Sequence, residues 1–558
     1  MSVGNYSPRT SDDSDDSLRA LELTEGPSGF PTALNNSRTH LSKSYSVSGF
    51  QFEPDLFQLT STLDGPDEQK SGELGEKKRI GFLKGVALCV GLQIGSGIFS
   101  SPGIVVANTQ SVGASLTVWI AAGILAWTGA SSFAELGASI PVNGGAQAYL
   151  AYAYGPLMSY LFTWTSIALR PGSNAVVGLI FAEYVNRLLF HTTSADASPD
   201  AIPQWAIQIT AIISVLLVTI LCVATPSLAT HAAVVFTTVK VCALGLVCTL
   251  GIIHIARGKA STSLTGPLFA NSSTSPTSYA LAFYSGLWAF DGWDQANYVG
   301  GEMKNPQKTL PRVIHFSMFL VMILFSFANI AYFAVLDKDT VARSNTVALD
   351  FGRTLFGPFG GVFFAVMVAI SCFGAMNGSF FTSARLIYVA GKEGYLPSLF
   401  GTLNSRLKTP LNAMLLQAVI TIVFICFGDG FRSLINFAVI VAWLAFFLTV
   451  LGLVILRIKE PALERPYKTW ITTPLIFCAV ALFLLCMPIL AAPLQSLCVI
   501  GFVLLGVPVY YITQQPEDMP RVFVPIANFF SRTRARPYVG SGWQAVATDE
   551  VEMIYSPQ

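Results

Sequence analysis

Between Ile80 and Thr513 the chain spends only 14 acidic residues on 434 positions, while 13 of its 32 acids precede Ile80 and 5 follow Thr513. A water-soluble domain carries roughly 25% charged residues, against 12% in this chain of 558 residues, of which 52% are hydrophobic. No soluble domain of that length could solvate its surface with so few charges, so the class implied is a polytopic membrane protein with a polar tail at each end. A net charge of +1 excludes a broad basic field for nucleic acid. The 9 cysteines are scattered through apolar segments with no CxxC and no Cys/His cluster, so neither a metal, a cofactor nor a disulfide framework is expected. The acidic start, SDDSDDS at Ser11 to Ser17, is no cleavable signal peptide, and the first apolar span must direct insertion itself.

Residues 1–79 are rich in Ser, Asp, Glu, Gly and Pro and read as a disordered tail. Residues 80–513 form the membrane domain, and 514–558 a second polar tail. A helical span needs about 20 predominantly apolar residues. Twelve segments qualify: 82–107, 112–139, 156–189, 205–224, 229–256, 279–301, 311–336, 359–388, 410–428, 432–456, 471–490 and 494–513. The fold class expected is therefore all-α with 12 transmembrane helices. An even number puts both tails on one side. That side's loops and span ends carry 16 lysines and arginines against 7 on the other, so both tails are assigned to the cytoplasm. The sequon at Asn271 then faces outward, as a candidate for glycosylation.

Function in such a chain is sought where an apolar helix holds what it should not. Span 1 contains GLQIGSGIF, with Gly95, Ser96 and Gly97 in mid-span, where each glycine costs about 1 kcal/mol relative to alanine in a helix. Span 6 reads YSGLWAFDGWDQANYVGGEM from Tyr284 to Met303, placing Asp291, Gly292 and Asp294 near the bilayer centre. An acid there costs about 2.5–3.5 kcal/mol on insertion scales. Two readings stay open for Asp291: it caps a helix that unwinds before Gly292 and restarts after it, or it lines an aqueous site and meets a cation or proton.

The two irregular spans correspond in position. Spans 1–5 cover 82–256 and spans 6–10 cover 279–456, each block opening on its interrupted helix, with two extra helices over 471–513. Five spans is an odd number, so the second block inserts upside down relative to the first. Broken helices at matching positions of inverted repeats point to the substrate site of a secondary transporter. Free N–H groups at a half-helix start suit an anion and free carbonyls at a half-helix end suit a cation. A zwitterion such as an amino acid fits both.

At these residues the chain resembles the L-type amino acid transporter family of the amino acid–polyamine–organocation superfamily. The resemblance runs in order from about 80 to 470. It is carried by GSGIF (Gly95 to Phe99), FAELGASIPVNGGAQAYLAYAYG (Phe133 to Gly155), LRPGSNAVVGLIFAEYV (Leu169 to Val185) and WAFDGWDQANYVGGEMKNPQKTLPRVI (Trp288 to Ile314), and continues in FGAMNGSFFTSARLIYVAGKEGYLPS (Phe373 to Ser398) and LRIKEPALERPYK (Leu456 to Lys468).

That resemblance implies a five-plus-five inverted repeat working by alternating access. Its implied substrate site combines Gln93, Ile94, Gly95, Ser96 and Gly97 with Trp288, Ala289, Phe290, Asp291 and Asn377. N–H groups around Ser96 and Gly97 would hold the carboxylate, and carbonyls near Gln93, Trp288 and Asp291 the ammonium. Trp288 would gate the substrate, and Lys240 stands where sodium-coupled relatives bind an ion, so sodium independence is expected. Asp291 and Asp294 join Lys240 as candidate coupling residues. Against these roles stand plainer ones: packing for Trp288, snorkelling for Lys240, and an interhelical hydrogen bond for Asn377. Arg170, before Pro171-Gly172, is expected to bond carbonyls freed by a kink, and Glu135 to pair with a basic loop residue.

Two departures from the family pattern matter. The loop HTTSADASPDAIP (His191 to Pro203) lacks the cysteine through which animal members bind a heavy chain, so function without a disulfide-linked heavy chain is expected, as in microbial or fungal members. Animal relatives more often carry glycine and asparagine where this chain has Asp291 and Asp294, which could favour cationic substrates or carry a proton. The expected activity is sodium-independent amino acid transport, large neutral substrates first and cationic ones second, as antiporter or symporter, in the plasma membrane or a vacuolar or endosomal one. A polyamine or organic-cation carrier and an amino acid-sensing transceptor remain as alternatives. An enzyme is not expected, since the five histidines pair with no acids at catalytic spacing and no phosphate loop is present.

Overall fold

A computed structural model of the chain describes residues 81–514, apart from 143, 191–201, 225, 299, 301–302, 393–394, 403, 405–408, 429–430 and 492. The expected tails and most of the loop His191 to Pro203 lie outside the described residues. Among the described residues every regular element is helical. The expected first span is two helices, α1 (Phe82–Gln93) and α2 (Gly97–Thr109), bent by 45° at the Gly-Ser-Gly stretch. Next come α3 (Val112–Ser139), the short α4 (Ala146–Tyr154), α5 (Pro156–Leu189), α6 (Gln204–Ala224), α7 (Pro226–Ala256) and a single turn, α8 (Thr262–Thr265).

The sixth span is also divided, into α9 (Pro276–Ala289) and α10 (Gln295–Tyr298). Then follow α11 (Pro306–Val335), α12 (Lys338–Arg343), α13 (Val347–Lys392), α14 (Leu411–Phe427), α15 (Phe431–Lys459), α16 (Thr472–Ala491) and α17 (Pro493–Gln514). Helix α13 starts 12 residues before the expected span at 359, because Phe356 and Gly357 leave helical geometry and join a preceding amphipathic piece to the apolar one.

Local chemistry sets several of these boundaries. Ser111 is extended and its hydroxyl accepts the Ala114 N–H at 3.2 Å, starting α3 at the expected residue. Pro156 occupies the first position of α5, where a missing N–H costs nothing. Among the described residues six helices are individually long and apolar enough to cross a bilayer, and the bent pair α1–α2 makes a seventh if it is one span. The other expected spans coincide with helices that are interrupted (α9, α10), carry mid-helix polar residues (α5) or have shorter apolar stretches (α14, α16, α17). The number twelve therefore stands as an expectation from sequence.

Packing follows the same apolar economy. On α6, Ile209, Ile213, Leu216, Leu217 and Ile220 are exposed, a stripe that suits lipid and not water. Inside, α9 runs along α2, α11 lies between α3 and α7, and α13 between α5 and α7. Trp119, Phe290 and Phe325 interlock there, with ring centroids 5.0–6.1 Å apart.

Glu135, near the end of α3, is fully buried, and its pairing with basic residues holds. Its carboxylate accepts Arg457 Nε at 2.9 Å, Arg457 Nη2 and the Thr469 N–H at 2.8 Å, with Arg465 Nε at 3.7 Å. Beside it, Trp127 Nε1 donates to His315 Nδ1 at 2.8 Å, and His315 Nε2 meets the Tyr467 hydroxyl at 2.7 Å. Indole N–H only donates, so Nδ1 must accept and Nε2 must carry the imidazole proton. These contacts tie α3 and α11 to the segment after α15.

Candidate functional site

The two helix breaks lie against each other. A Cβ added to Gly97 would stand 2.5 Å from Ala289 Cα and 3.2 Å from Ala289 N, so only glycine lets α2 and α9 approach this closely. Across the same contact, Gly292 takes φ +107°, and a Cβ there would meet Gln93 N and Leu92 C at 3.3 Å. The sequence placed these interruptions 180 residues apart or more; the fold sets them back to back.

The breaks leave backbone groups of the required kinds. Ser96 holds the N-cap position of α2 but makes no side-chain cap, and the Phe99 N–H donates to its carbonyl at 3.2 Å, so the Gly97 and Ile98 N–H groups keep their hydrogen-bonding capacity at the positive end of the helix dipole. The Gln93 carbonyl accepts the Gly95 N–H at 2.9 Å with one lone pair left over, whereas the Trp288 carbonyl accepts both the Asp291 N–H at 3.3 Å and the Phe290 N–H.

Helix α10 restarts at Gln295, so the residue immediately before it is Asp294 and not Asp291. The capping expectation for Asp291 is corrected accordingly: three non-helical residues, Gly292, Trp293 and Asp294, separate it from the helix, and Gly292 turns the chain between. The Asp294 carbonyl accepts the Asn297 N–H at 2.9 Å, and its carboxylate accepts Gln295 Nε2 at 3.1 Å.

A small cavity of about 30 Å³ lies beside the sixth-span break, between α5, α9–α10 and α15. Arg170, Trp288, Asp291, Asp294, Tyr298 and Trp443 stand on its wall. Of the residues expected from sequence, Trp288, Asp291 and Asp294 are thus brought together. Gln93, Ile94, Gly95, Ser96 and Gly97 are not on that wall; they adjoin it through Ala289, the neighbour of Trp288. Phe290 is 1% exposed and packs into the aromatic core. Asn377 is buried on α13 and its Oδ1 accepts Cys222 Sγ of α6 at 3.4 Å, an interhelical bond of the kind weighed for it. Lys240 is 2% exposed on α7 and lies near Cys372 of α13, away from any surface.

Arg170, expected to bond carbonyls freed at Pro171, stands on the cavity wall, on a helix that continues through that proline. It reaches across the cavity instead, its Cζ 5.9 Å from the Tyr298 ring centroid and within electrostatic range of Asp294 and Asp291. The available signal was its mid-span position, the same anomaly that singled out the two aspartates.

Comparison with known proteins shows the family. The sequence profile of the family described as amino acid permease matches residues 80–512. The chain is 38% identical over 438 residues to the b(0,+)-type amino acid transporter 1 of Mus musculus, covering 78% of this chain and 88% of that protein. It is 35% identical over 460 residues to the cystine/glutamate transporter of Homo sapiens, covering 82% and 89%. It is 35% identical over 441 residues to the Asc-type amino acid transporter 1 of Mus musculus, covering 78% and 81%.

Proposed function

The chain belongs to the amino acid permease family, in its L-type amino acid transporter branch, and on that premise we propose that it carries amino acids across a membrane by alternating access, without sodium, by exchange or proton symport. Large neutral amino acids are its first substrates and cationic ones its second. The observation that carries this reading is the back-to-back contact of the two broken helices at Gly97 and Ala289. It sets an uncapped helix start and the half-free Gln93 carbonyl next to the sixth-span break, groups of the kinds that an α-carboxylate and an α-ammonium require.

The five-plus-five inverted repeat, twelve spans and cytoplasmic tails complete the proposal, with the plasma membrane as its site. The chain works without a covalently attached heavy chain, on the strength of the cysteine-free loop His191 to Pro203. A polyamine carrier is the weaker reading, because the uncapped start of α2 suits a carboxylate and a substrate with two amines brings none.

The test is purified full-length protein in liposomes, with labelled leucine outside, amino acid inside or absent, and an imposed pH gradient. Uptake that requires internal amino acid means exchange, and uptake that follows the gradient means symport. Absence of transport of any amino acid under both conditions overturns the proposal. If Asp291→Asn leaves the pH dependence of symport intact, Asp291 is not the proton carrier.

Sodium independence rests on Lys240, whose buried ammonium supplies a fixed charge where a sodium ion would otherwise sit. Lys240→Ala is expected to lower sodium-free uptake by roughly tenfold or more, the cost of one lost close charge interaction. Uptake at the unsubstituted level in sodium-free buffer would remove Lys240 from the mechanism.

A further inference from the structure

We propose that Asn297 is a positioning residue of the substrate site: tied to Tyr149 of α4, it fixes the restart of the sixth span and with it the part of the cavity wall that receives the substrate's side chain. This rests on the transport reading above and adds to it the residue pair that supports binding of large side chains.

Asp294 and Tyr298, at the two ends of the restart, stand on the cavity wall, and Asn297 does not. Asn297 is fully buried and turned toward α3 and α4. Its backbone N–H and its Nδ2 both donate to the Asp294 carbonyl, at 2.9 and 3.2 Å, so the first turn of α10 is closed twice on one acceptor. With Nδ2 committed there, Oδ1 faces Tyr149, whose hydroxyl donates to it at 3.1 Å. Tyr149 is itself buried, and its ring stands edge-on to Phe133 of α3 with centroids 6.0 Å apart, so packing aims the hydroxyl.

The neighbouring elements make room for this bond and reinforce it. A Cβ added to Gly137 of α3 would lie 2.5 Å from Asn297 Oδ1 and 2.9 Å from the Tyr149 hydroxyl, so glycine there leaves the pair undisturbed. The Gly144 N–H donates to the Tyr298 carbonyl at 3.3 Å. Gly145, at φ +53°, lies against the Tyr298 ring, where a Cβ would be 3.2 Å away. Trp293 is buried between Phe133 and Phe446, with ring centroids 5.0 and 4.7 Å away. The restart is thus pinned from behind by α3, α4 and α15, while its front presents Asp294 and Tyr298. In the transport reading the helix breaks hold the α-carboxylate and the α-ammonium, which leaves this front to the side chain. A wall fixed beforehand needs no ordering when the substrate arrives, so the Tyr149–Asn297 bond acts on affinity for side chains long enough to reach it.

The experiment measures KM and Vmax for leucine and for alanine uptake by full-length protein in liposomes. Tyr149→Phe removes one hydroxyl and keeps the ring. It is expected to raise the leucine KM by about threefold to tenfold, the equivalent of one neutral hydrogen bond, with Vmax and the alanine KM near their unsubstituted values. Asn297→Leu removes both side-chain bonds and should raise the leucine KM further. Adding Tyr149→Phe to it should change nothing more, because the hydroxyl has already lost its acceptor. Tyr152→Phe is the control: it removes another α4 hydroxyl, which donates to Glu460 Oε2 at 2.7 Å and not to α10, and should leave the leucine-to-alanine KM ratio unchanged. A merely structural role would lower Vmax for both substrates and leave that ratio in place. That result in Tyr149→Phe overturns the inference, as does an unchanged leucine KM or an equal shift of the ratio in Tyr152→Phe. Where Asn297→Leu does not fold, Tyr149→Phe decides alone. Failure of the unsubstituted protein to carry any amino acid overturns the transport reading instead.

Discussion

Replacing Gly97 by valine is expected to abolish amino acid uptake. Even the first added carbon would lie 2.5 Å from Ala289 Cα and 2.9 Å from Ala289 Cβ, and a backbone neighbour cannot rotate away as a side-chain tip can. The two half-helices must separate by several tenths of an ångström for alanine and by more for valine. Misplacement of binding groups on that scale costs roughly 100-fold in rate, and overpacking of the core adds about 1–3 kcal/mol of lost stability. The comparison is Gly245→Ala on α7, where an added Cβ meets nothing within 4 Å and no change is expected. Uptake in liposomes, normalised to protein that elutes as a single species in detergent, decides the matter. Uptake of Gly97→Val near the unsubstituted rate would show that the contact between the breaks is not part of the substrate path.

The second large effect is expected at Glu135. Its carboxylate is fully buried and holds Arg457, the Thr469 N–H and, at 3.7 Å, Arg465. Glu135→Gln keeps the shape and removes the charge, so Arg457 and Arg465 are left as buried cations with no counter-ion from α3. Breaking a buried pair from one side costs about 3–5 kcal/mol. Part of Arg465 is retained by the carbonyls of Leu456, Glu460 and Leu463, at 3.0–3.1 Å, so the greater loss falls on Arg457. A markedly lower unfolding midpoint in detergent is expected, accompanied by faster proteolysis of the segment after α15. An unchanged midpoint would mean that this anchor contributes nothing to the fold.

Much of the helix pattern was legible from hydropathy alone. The expected spans 112–139 and 156–189 coincide with Val112–Ser139 and Pro156–Leu189, because Ser111 and Pro156 are local signals that require no partner. The start of α13 was not legible: residues 347–355 are amphipathic rather than continuously apolar, and helix merges with helix across Phe356 and Gly357. The short α4 escaped for the same reason, since nine residues between two long spans carry too little periodicity to stand out.

The site divides along a similar line. Gly95, Ser96, Gly97, Asp291, Gly292 and Asp294 announced themselves because a membrane helix penalises glycine pairs and acids wherever they occur, without reference to any neighbour. Which acid does what could not be read that way. The sequence alone left Asp291 as cap or ligand; the restart at Gln295 puts Asp294 next to the new helix, and the cavity takes in Arg170 from a helix more than 100 residues earlier. Hydropathy and helix-breaking are properties of a segment, so the sequence determined a membrane protein with two broken helices. Pairing of charges and contact of the breaks depend on distances across the bundle, so only the tertiary structure decided that Gly97 meets Ala289 and that Arg170 faces the two aspartates.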